Sequence, residues 1–305
     1  MVTKHTHKNI TWVDLESPTN EEVRQVMEEY AFHPSIAEEL LLPTMKPKVA
    51  FYDNKIIYLI LHFPAFKHSH EDKQNQEVDF IIGKDFLITT RYDTIDPLHK
   101  FSKVFDANSI LSKGTTIEHA GFLFFHMIQK LYRALEHELE YIYDALGEVE
   151  KNIFEGKERE MVVDLSNISR DLLNFKQALR LHKEILESLE IVGKKLFGDD
   201  FSYQLKAIIV EYYKIQTDID SNMDSLSEIR ATNNSLVSTK QNEVMKILTI
   251  MAFITFPLSL VASIFGMNTI YLPIVGHAND FWIITGFMAI ATISFFSFFK
   301  YKKWL

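Results

Sequence analysis

The chain contains 305 residues, 47% of them hydrophobic, and carries a formal net charge of −9 at pH 7. This acidic balance argues against nucleic-acid binding, which needs clustered Lys and Arg side chains. Because the chain has no cysteine, it can form neither disulfides nor thiolate metal sites. Charge is concentrated before about residue 246, and the remainder is almost purely apolar. The sequence therefore predicts an acidic soluble part followed by a membrane part.

Residues 8–93 combine strand and helix signals. A capping residue and an acidic first turn in Ser17–Glu21 predict a helix that runs to Tyr30, and His33-Pro34 restarts a short helix that ends before Pro43. The first ten residues lack an apolar core, so we expect no secretory signal and a cytoplasmic location. A small mixed sheet covered by helices, an α+β fold, is predicted from five runs rich in β-branched and aromatic residues: Asn9–Asp14, Val49–Tyr52, Ile56–His62, Val78–Ile82 and Phe86–Thr90.

The rest of the soluble part predicts only helices. Apolar residues at three- and four-residue spacing indicate one helix over Ile117–Glu155 and a second over Lys157–Leu196. From about Phe201 to Phe265 the only Pro or Gly is Pro257, which predicts a single helix roughly 100 Å long. Such a helix needs packing partners. The alternative is two or three helices joined by turns near Asn233-Asn234.

Two uncharged stretches, Ile247–Phe265 and Phe281–Phe299, predict transmembrane helices. Nineteen helical residues span roughly 28 Å, close to the hydrocarbon thickness of a bilayer. Lysines precede the first stretch and follow the second, whereas the connector, residues 266–280, contains neither Lys nor Arg. The positive-inside rule therefore places both termini in the cytoplasm.

These signals together predict six consecutive parts of the chain. They are a cytoplasmic α/β/α domain with a helical hairpin (1–197), a stalk helix (198–246), a first, pore-lining transmembrane helix (247–265), an outer loop (266–280), a second transmembrane helix (281–299) and a basic tail (300–305).

One face of the long predicted helix is unsuited to lipid. Inside a bilayer, polar side chains turn toward protein or water, so this face is expected to look toward an axis shared with other copies of the chain. Two spans cannot enclose a pore alone, which requires a symmetric ring. The alternative is that small residues merely allow close helix packing. Spaced alternately by three and four, its residues are Ser263, Ser259, Phe256, Ala252, Thr249, Met245, Asn242, Ser238, Ser235, Ala231, Glu228, Asp224 and Ser221.

Directly after the first span comes Phe265-Gly266-Met267-Asn268. With this motif at the outer end of the first of two C-terminal spans, the chain resembles the CorA-type magnesium transporter family. The resemblance covers essentially the whole chain and also includes Asn242–Thr249, Lys302–Leu305, His33-Pro34, Lys46–Val49 and the hairpin around Gly83-Lys84.

The resemblance implies a funnel-shaped homopentamer in the plasma membrane, in which the stalk continues into a pore-lining helix and the second span forms an outer ring. It implies passive transport of Mg²⁺, with Co²⁺ or Ni²⁺ as further cargo, and Mg²⁺ also as regulator. Its expected partners are other copies, lipids and divalent ions, with no nucleic acid, nucleotide or organic cofactor. Consistently, the sequence has no phosphate-cradling glycine loop and no compact constellation typical of an enzyme.

The chemistry of the motif suits this cargo. Mg²⁺ dehydrates reluctantly, so neutral oxygens that hydrogen-bond its water shell form a better entrance than carboxylates. Asn268 would supply a ring of amides, Gly266 a sharp turn, and Met267 packing that holds the turn. Further along the pore, Asn242 offers a second amide ring, while apolar constrictions that gate by dewetting are expected at Met245 and Leu248, with a third at Phe256.

The chain also departs from its relatives. Its connector has Tyr271–Ile274 without an acidic residue, leaving Asp280 as the only acid of the outer loop. The Asp expected on the stalk aligns with Ala207. Glu211, or acidic rings of Asp224 and Glu228, are the candidate sites for a regulatory metal ion, although charged helix residues usually indicate no more than a solvated acidic face.

Three further hypotheses about sites and function stay open. His68–Asp72 contains two His and two acids that could chelate a transition metal, but a polar loop explains it better. A proton-coupled zinc transporter of the ZntB type shares the fold, although its usual motif has Ile at the position of Met267. A membrane-anchored sensor or scaffold that conducts no ions is the third.

Overall fold

The computed structural model of the protein describes residues 1–7, 9–44, 46–53, 55–64, 76–92, 95–106, 119–268, 275–276 and 279–304. The chain forms two compact units, Met1–Arg230 and Ala231–Leu305, and each is treated separately below. The candidate chelating segment 68–72 and the connector residues 271–274 lie outside the described residues.

A six-stranded mixed sheet forms the centre of the first unit. Its spatial order is β1-β2-β6-β5-β4-β3, and β2 and β6 pair in parallel while the other neighbours are antiparallel. The predicted mixed sheet is therefore confirmed. The strands are β1 (Val2–His7), β2 (Ile10–Glu16), β3 (Lys48–Tyr52), β4 (Ile56–Phe63), β5 (Gln76–Ile82) and β6 (Phe86–Arg91).

The edge strand β1 was not among the predicted strands. Its sequence, Val-Thr-Lys-His-Thr-His, has no apolar alternation that would mark a half-buried strand. It forms because its backbone pairs with β2 from Val2↔Leu15 to His7↔Ile10. A polar sequence on an edge strand also discourages pairing with other chains.

Helices α1 (Asn20–Tyr30) and α2 (Pro34–Glu39) follow β2, as predicted. The start of α1 is fixed by a capping box: the Thr19 amide donates to Glu22 Oε2 over 2.8 Å, and the Glu22 amide donates to Thr19 Oγ1 over 3.3 Å. Each side chain thus satisfies a backbone donor that the first helical turn leaves free.

The sheet is covered on both faces, because alternate residues of each strand point to opposite sides. On one face Val13, Tyr58 and Ile88 share a core with Val23 of α1 and Ile36 of α2. On the other face the Trp12 ring meets Phe101 of α3 (Asp96–Asp106), and Phe80 meets Phe124 of the following helix. The first unit is therefore a three-layered α/β/α arrangement within the predicted α+β class.

Five helices complete the chain: α4 (Ala120–Phe154), α5 (Met161–Leu179), α6 (His182–Phe197), α7 (Asp199–Phe265) and α8 (Asp280–Tyr301). The prediction of one long helix through Asn233-Asn234 is confirmed by α7. In its first part, α7 buries residues at alternating spacings of four and three within the first unit, among them Phe201, Leu205, Ile208, Tyr212 and Ile215.

The prediction of one helix over Lys157–Leu196 was wrong, because the chain turns at Arg180-Leu181 and forms α5 and α6 instead. No Gly or Pro marks this turn. Directly after it, the fully buried His182 contacts two other elements. His182 Nε2 lies 2.8 Å from the carbonyl oxygen of His62, and Nδ1 lies 2.7 Å from the hydroxyl of Tyr132.

These two contacts assign the tautomer of His182. A carbonyl oxygen only accepts, so Nε2 carries the proton and Nδ1 accepts from the hydroxyl of Tyr132. Burial lowers the pKa of His182 to about 4. The folded protein therefore holds this imidazole neutral at pH values where an unfolded chain would protonate it.

This difference predicts acid sensitivity of the first unit. The pKa of His182 is lower in the folded protein than in the unfolded chain. The neutral imidazole therefore stabilises the fold fully above about pH 6.5, and this stabilisation is lost as the pH falls toward 4. We expect the free energy of unfolding to lose about 2 kcal/mol between about pH 7.5 and pH 5 through this group. Guanidinium unfolding of the detergent-solubilised chain, followed by far-UV circular dichroism, measures it. The His182→Gln variant should lose that part of the pH dependence, and equal pH slopes in both proteins would contradict the assignment.

Candidate ion pathway

In the second unit, α8 packs against one face of α7. Ile250 and Ile254 of α7 are buried against Phe299 of α8, with Leu258 and Phe295 partly buried beside them. Positions 250, 254 and 258 follow one another at one-turn spacing, so they define a single face of α7. We call this the α8-facing side.

The predicted polar stripe lies largely on the other side of α7, although Thr249 also lines a groove that α8 borders. At 100° per residue, Phe256, Ser259 and Ser263 lie roughly 180° around the helix from the α8-facing side. All the predicted pathway residues of this helix are exposed in the single chain, including Phe256, which is 76% exposed. Lipid-facing residues are exposed as well, so it is the angular position that singles out the stripe. The predicted residues are Asn242, Met245, Leu248, Thr249, Ala252, Phe256, Ser259 and Ser263.

The Gly266-Met267-Asn268 motif follows the last residue of α7. The Gly266 amide donates to the carbonyl of Ala262 over 2.9 Å, and the Met267 amide donates to that of Ile264 over 3.3 Å. A Cβ on residue 266 would lie 3.1 Å from the Ala262 carbonyl oxygen, so close backbone approach favours glycine here. The Met267 side chain is 56% exposed. Its predicted role in holding the turn stays a prediction.

Asp280, the one acid of the connector, has a structural partner at each oxygen. Oδ1 accepts from the Phe281 amide over 2.7 Å, and Oδ2 accepts from the Gly276 amide over 3.2 Å. A carboxylate at a helix N-terminus is also stabilised by the helix dipole. Asp280 therefore anchors the start of α8, and both its oxygens are engaged.

The acidic residues proposed as regulatory metal ligands on the first part of α7 differ in how accessible their carboxylates are to a metal ion. Glu211 is half-buried: its Oε1 accepts from Gln129 Nε2 over 3.0 Å, and Oε2 is buried without a hydrogen-bond partner. Asp224 and Glu228 are exposed, on the face opposite the buried Leu226. Within a single chain, the described residues contain no group of three His, Asp or Glu side chains placed to hold a metal ion.

Sequence reasoning missed the buried polar groups of the sheet. The Arg91 guanidinium lies 3.0 Å from Asp14, and Thr89 donates to Asp14 over 2.7 Å. On the opposite face Tyr58 donates to Asp79 over 3.0 Å, and burial raises the pKa of Asp79 well above its usual value. A charged residue inside an otherwise apolar strand, as in Val78-Asp79-Phe80, is the signal that identifies such groups. Because these groups pair with one another, they contribute to the structure of the domain.

An α+β domain is followed by two helices that are long and apolar enough to cross a membrane, the 67-residue α7 and the 22-residue α8, and these features define the class. The molecule is an integral membrane protein with a large N-terminal domain. The family model of the CorA-like Mg²⁺ transporter protein matches residues 7–302. The chain belongs to this family, which consists of ion transporters rather than enzymes.

Individual relatives agree with the family over nearly the whole chain. The cobalt/magnesium transport protein CorA of Thermotoga maritima is 26% identical over 299 residues, covering 97% of this chain and 83% of the relative. The protein of the same name from Methanocaldococcus jannaschii is 24% identical, covering 97% and 92%.

Two solved structures share the fold. The complete CorA magnesium transporter from Methanocaldococcus jannaschii superposes with a TM-score of 0.84 at 20% identity, covering 99% of this chain and 93% of that one. The ZntB cytoplasmic domain from Vibrio parahaemolyticus gives a TM-score of 0.62 at 13% identity, covering 76% and 90%. The first comparison includes both candidate membrane helices.

The position of the stripe predicts which side chains meet water in the membrane. A single cysteine can be introduced without background, because the chain has none. Ser259→Cys should react with a charged, water-soluble thiosulfonate reagent. Ile290→Cys, which is equally free in the single chain but lies on the face of α8 turned away from α7, should not react. Labelling rates in native membranes measure this. Equal rates at the two positions, or an inert Ser259→Cys, would contradict the assignment of faces.

Proposed function

We propose that the chain conducts hydrated Mg²⁺ passively across the plasma membrane, through a pore enclosed by α7 from five copies. The supporting observation is the stripe that lies opposite the α8-facing side and leads to Asn268. The family assignment supports Mg²⁺ as cargo, and the names of the relatives add Co²⁺.

The entrance is proposed to act on the water shell of the ion. Mg²⁺ requires near-ideal octahedral coordination and keeps several waters when it binds. Amide and carbonyl oxygens around Asn268 would hydrogen-bond those waters and select an ion of the right hydrated size. Because no carboxylate grips the ion, it leaves the entrance as readily as it enters, which conduction requires.

Further along α7, apolar rings are proposed to close the pore. Met245 and Leu248 are one turn apart, and Phe256 lies roughly 12 Å beyond Leu248. Rings of such side chains expel water when they narrow and admit it when they widen. Asn242, one turn before Met245, would then hydrogen-bond the hydrated ion at the inner side of this constriction.

The membrane potential supplies the driving force. Lysines flank the inner ends of both spans, so we place the termini in the cytoplasm and Asn268 outside. A divalent cation moving inward gains about 4.6 kcal/mol per 100 mV of inside-negative potential. Uptake therefore needs no nucleotide hydrolysis.

The exposed acids of the stalk are proposed to gather cations at the inner mouth. Asp224 and Glu228 from several copies would surround the axis and raise the local concentration of divalent ions. Glu211 fits a role as a free metal ligand poorly, since Gln129 engages one oxygen and the other is buried. We therefore propose no regulatory step through a metal ion at Glu211.

Transport into proteoliposomes tests the proposal, and the connector offers a matched control. Asn268→Ala should lower the rate of Mg²⁺ uptake about tenfold or more, because each copy loses an amide hydrogen bond worth about 1 kcal/mol. Asn279→Ala should retain uptake, since the side chain of Asn279 makes no capping hydrogen bond to α8. A Mg²⁺-sensitive dye inside the vesicles reports the flux under an inside-negative potential.

The same vesicles separate the competing functions. Zn²⁺ flux driven by a proton gradient, without Mg²⁺ flux, would overturn the proposal in favour of a zinc transporter of the ZntB type. Absence of any metal flux from a correctly assembled protein would favour a sensor or scaffold.

A further inference from the structure

A groove of about 720 Å³ runs between α7 and α8 in the second unit. Its walls are largely aromatic, with Phe253 of α7 facing Phe295, Phe298 and Phe299 of α8. The basic side chain of Lys246 and the indole of Trp304 line it as well. An apolar groove with a cationic end matches a ligand that is itself apolar with an anionic end.

The end of α8 is built so that Trp304 turns back onto the groove. Lys303 adopts a left-handed conformation with φ +56°. The Lys303 amide donates to the Lys300 carbonyl and the Trp304 amide to the Phe299 carbonyl, both over 3.0 Å. These two hydrogen bonds form a Schellman motif. Such a motif is usually accompanied by an apolar contact between the residues joined by the longer-range bond, here Trp304 and Phe299. Here the Trp304 ring stacks on Phe299, with ring centroids 6.0 Å apart and a 26° angle between planes.

Charge at this end of the groove is predominantly positive. Lys246 lies in the lining, and Lys300, Lys302 and Lys303 surround the last turn of α8. In the neighbouring part of α7 the one acid is Glu243, whereas Asp280 lies at the opposite end of α8. Lys side chains reach from apolar surface toward the headgroup region, and Trp prefers the same depth.

We propose that this groove binds one acyl chain of an anionic glycerophospholipid of the inner leaflet, whose phosphate pairs with Lys246. Basic pockets between transmembrane helices on the cytoplasmic side are suited to such headgroups. The inference rests on the proposed function for the side of the membrane and for the ring of copies.

Ring geometry favours a lipid over a neighbouring helix as the occupant. With helix axes about 9 Å apart, five copies of α7 form a ring of roughly 8 Å radius, and α8 on the outer side lies at roughly 17 Å. Adjacent α8 helices are then roughly 20 Å apart, about twice a helix diameter. The two spans of each chain leave a gap at this spacing, and we infer that lipid enters it between the outer helices and reaches the groove.

Quenching of Trp304 by brominated lipids tests the inference in the full chain. A Trp282→Phe background removes the other membrane-helix tryptophan, and Trp12 is buried in the first unit, out of reach of acyl chains. The protein is reconstituted in phosphatidylcholine vesicles that contain graded amounts of phosphatidylglycerol. In one series the phosphatidylglycerol carries bromine on the upper part of its acyl chain, and in the other series the phosphatidylcholine does. We expect Trp304 to prefer brominated phosphatidylglycerol about fivefold, the effect of one lysine near an anionic lipid.

Lys246→Gln should remove the preference, whereas Lys240→Gln, which takes away the same charge outside the groove lining, should preserve it. Equal quenching by the two lipids, or an equal loss in both variants, would overturn the inference, because the contact would then be general lipid contact or surface attraction. Weak quenching by both lipids would overturn it too, since a helix of another copy would then fill the groove. Mg²⁺ uptake by the same vesicles is read separately, so a transport failure contradicts the proposed function without deciding the lipid site.

Discussion

The constraint on which this account depends is that polar side chains cannot face hydrocarbon without cost. Ser259 and Ser263 lie in the membrane part of α7 on the side away from α8. The contact through Ile250, Ile254 and Phe299 covers the opposite side, so α8 does not cover these two serines. In the proposed assembly, water and further copies of the chain cover them. A shared aqueous axis satisfies both conditions, and Mg²⁺ that retains its water shell needs such a passage.

The same helix carries two differently used faces along its length. Within the first unit, Phe201, Leu205 and Ile208 bury one face of α7 in the α/β/α domain, and the exposed acids Asp224 and Glu228 lie on the other. In the second unit the buried face contacts α8. Helix α7 is continuous from Asp199 to Phe265, and it therefore contributes to both units and includes the proposed constriction at Met245 and Leu248. Under the proposed function, this is the physical route by which the domain can gate the pore.

Much of the fold is encoded in local sequence patterns, and the elements that were predicted wrongly or missed have identifiable causes. The capping box at Thr19, the strands and the uninterrupted α7 follow from periodicity and turn residues. Strand β1 has no such pattern, and neither Gly nor Pro marks the break at Arg180-Leu181, which is followed by His182 with its contacts to distant residues. The α8-facing side could not be predicted either, because helix-facing and lipid-facing residues are equally apolar. The stripe could be identified from the three- and four-residue spacing of its residues, and its role as a pore lining stays a prediction, whereas the engagement of Glu211 and Asp280 needed three-dimensional contacts.

Electron cryo-microscopy of the full chain in lipid nanodiscs tests the central claim most directly. The account predicts a ring of copies in which Ser259 and Ser263 surround a solvent-filled axis, with Asn268 at its outer mouth and α8 outside. A monomer, or an assembly in which those serines contact acyl chains, would contradict it.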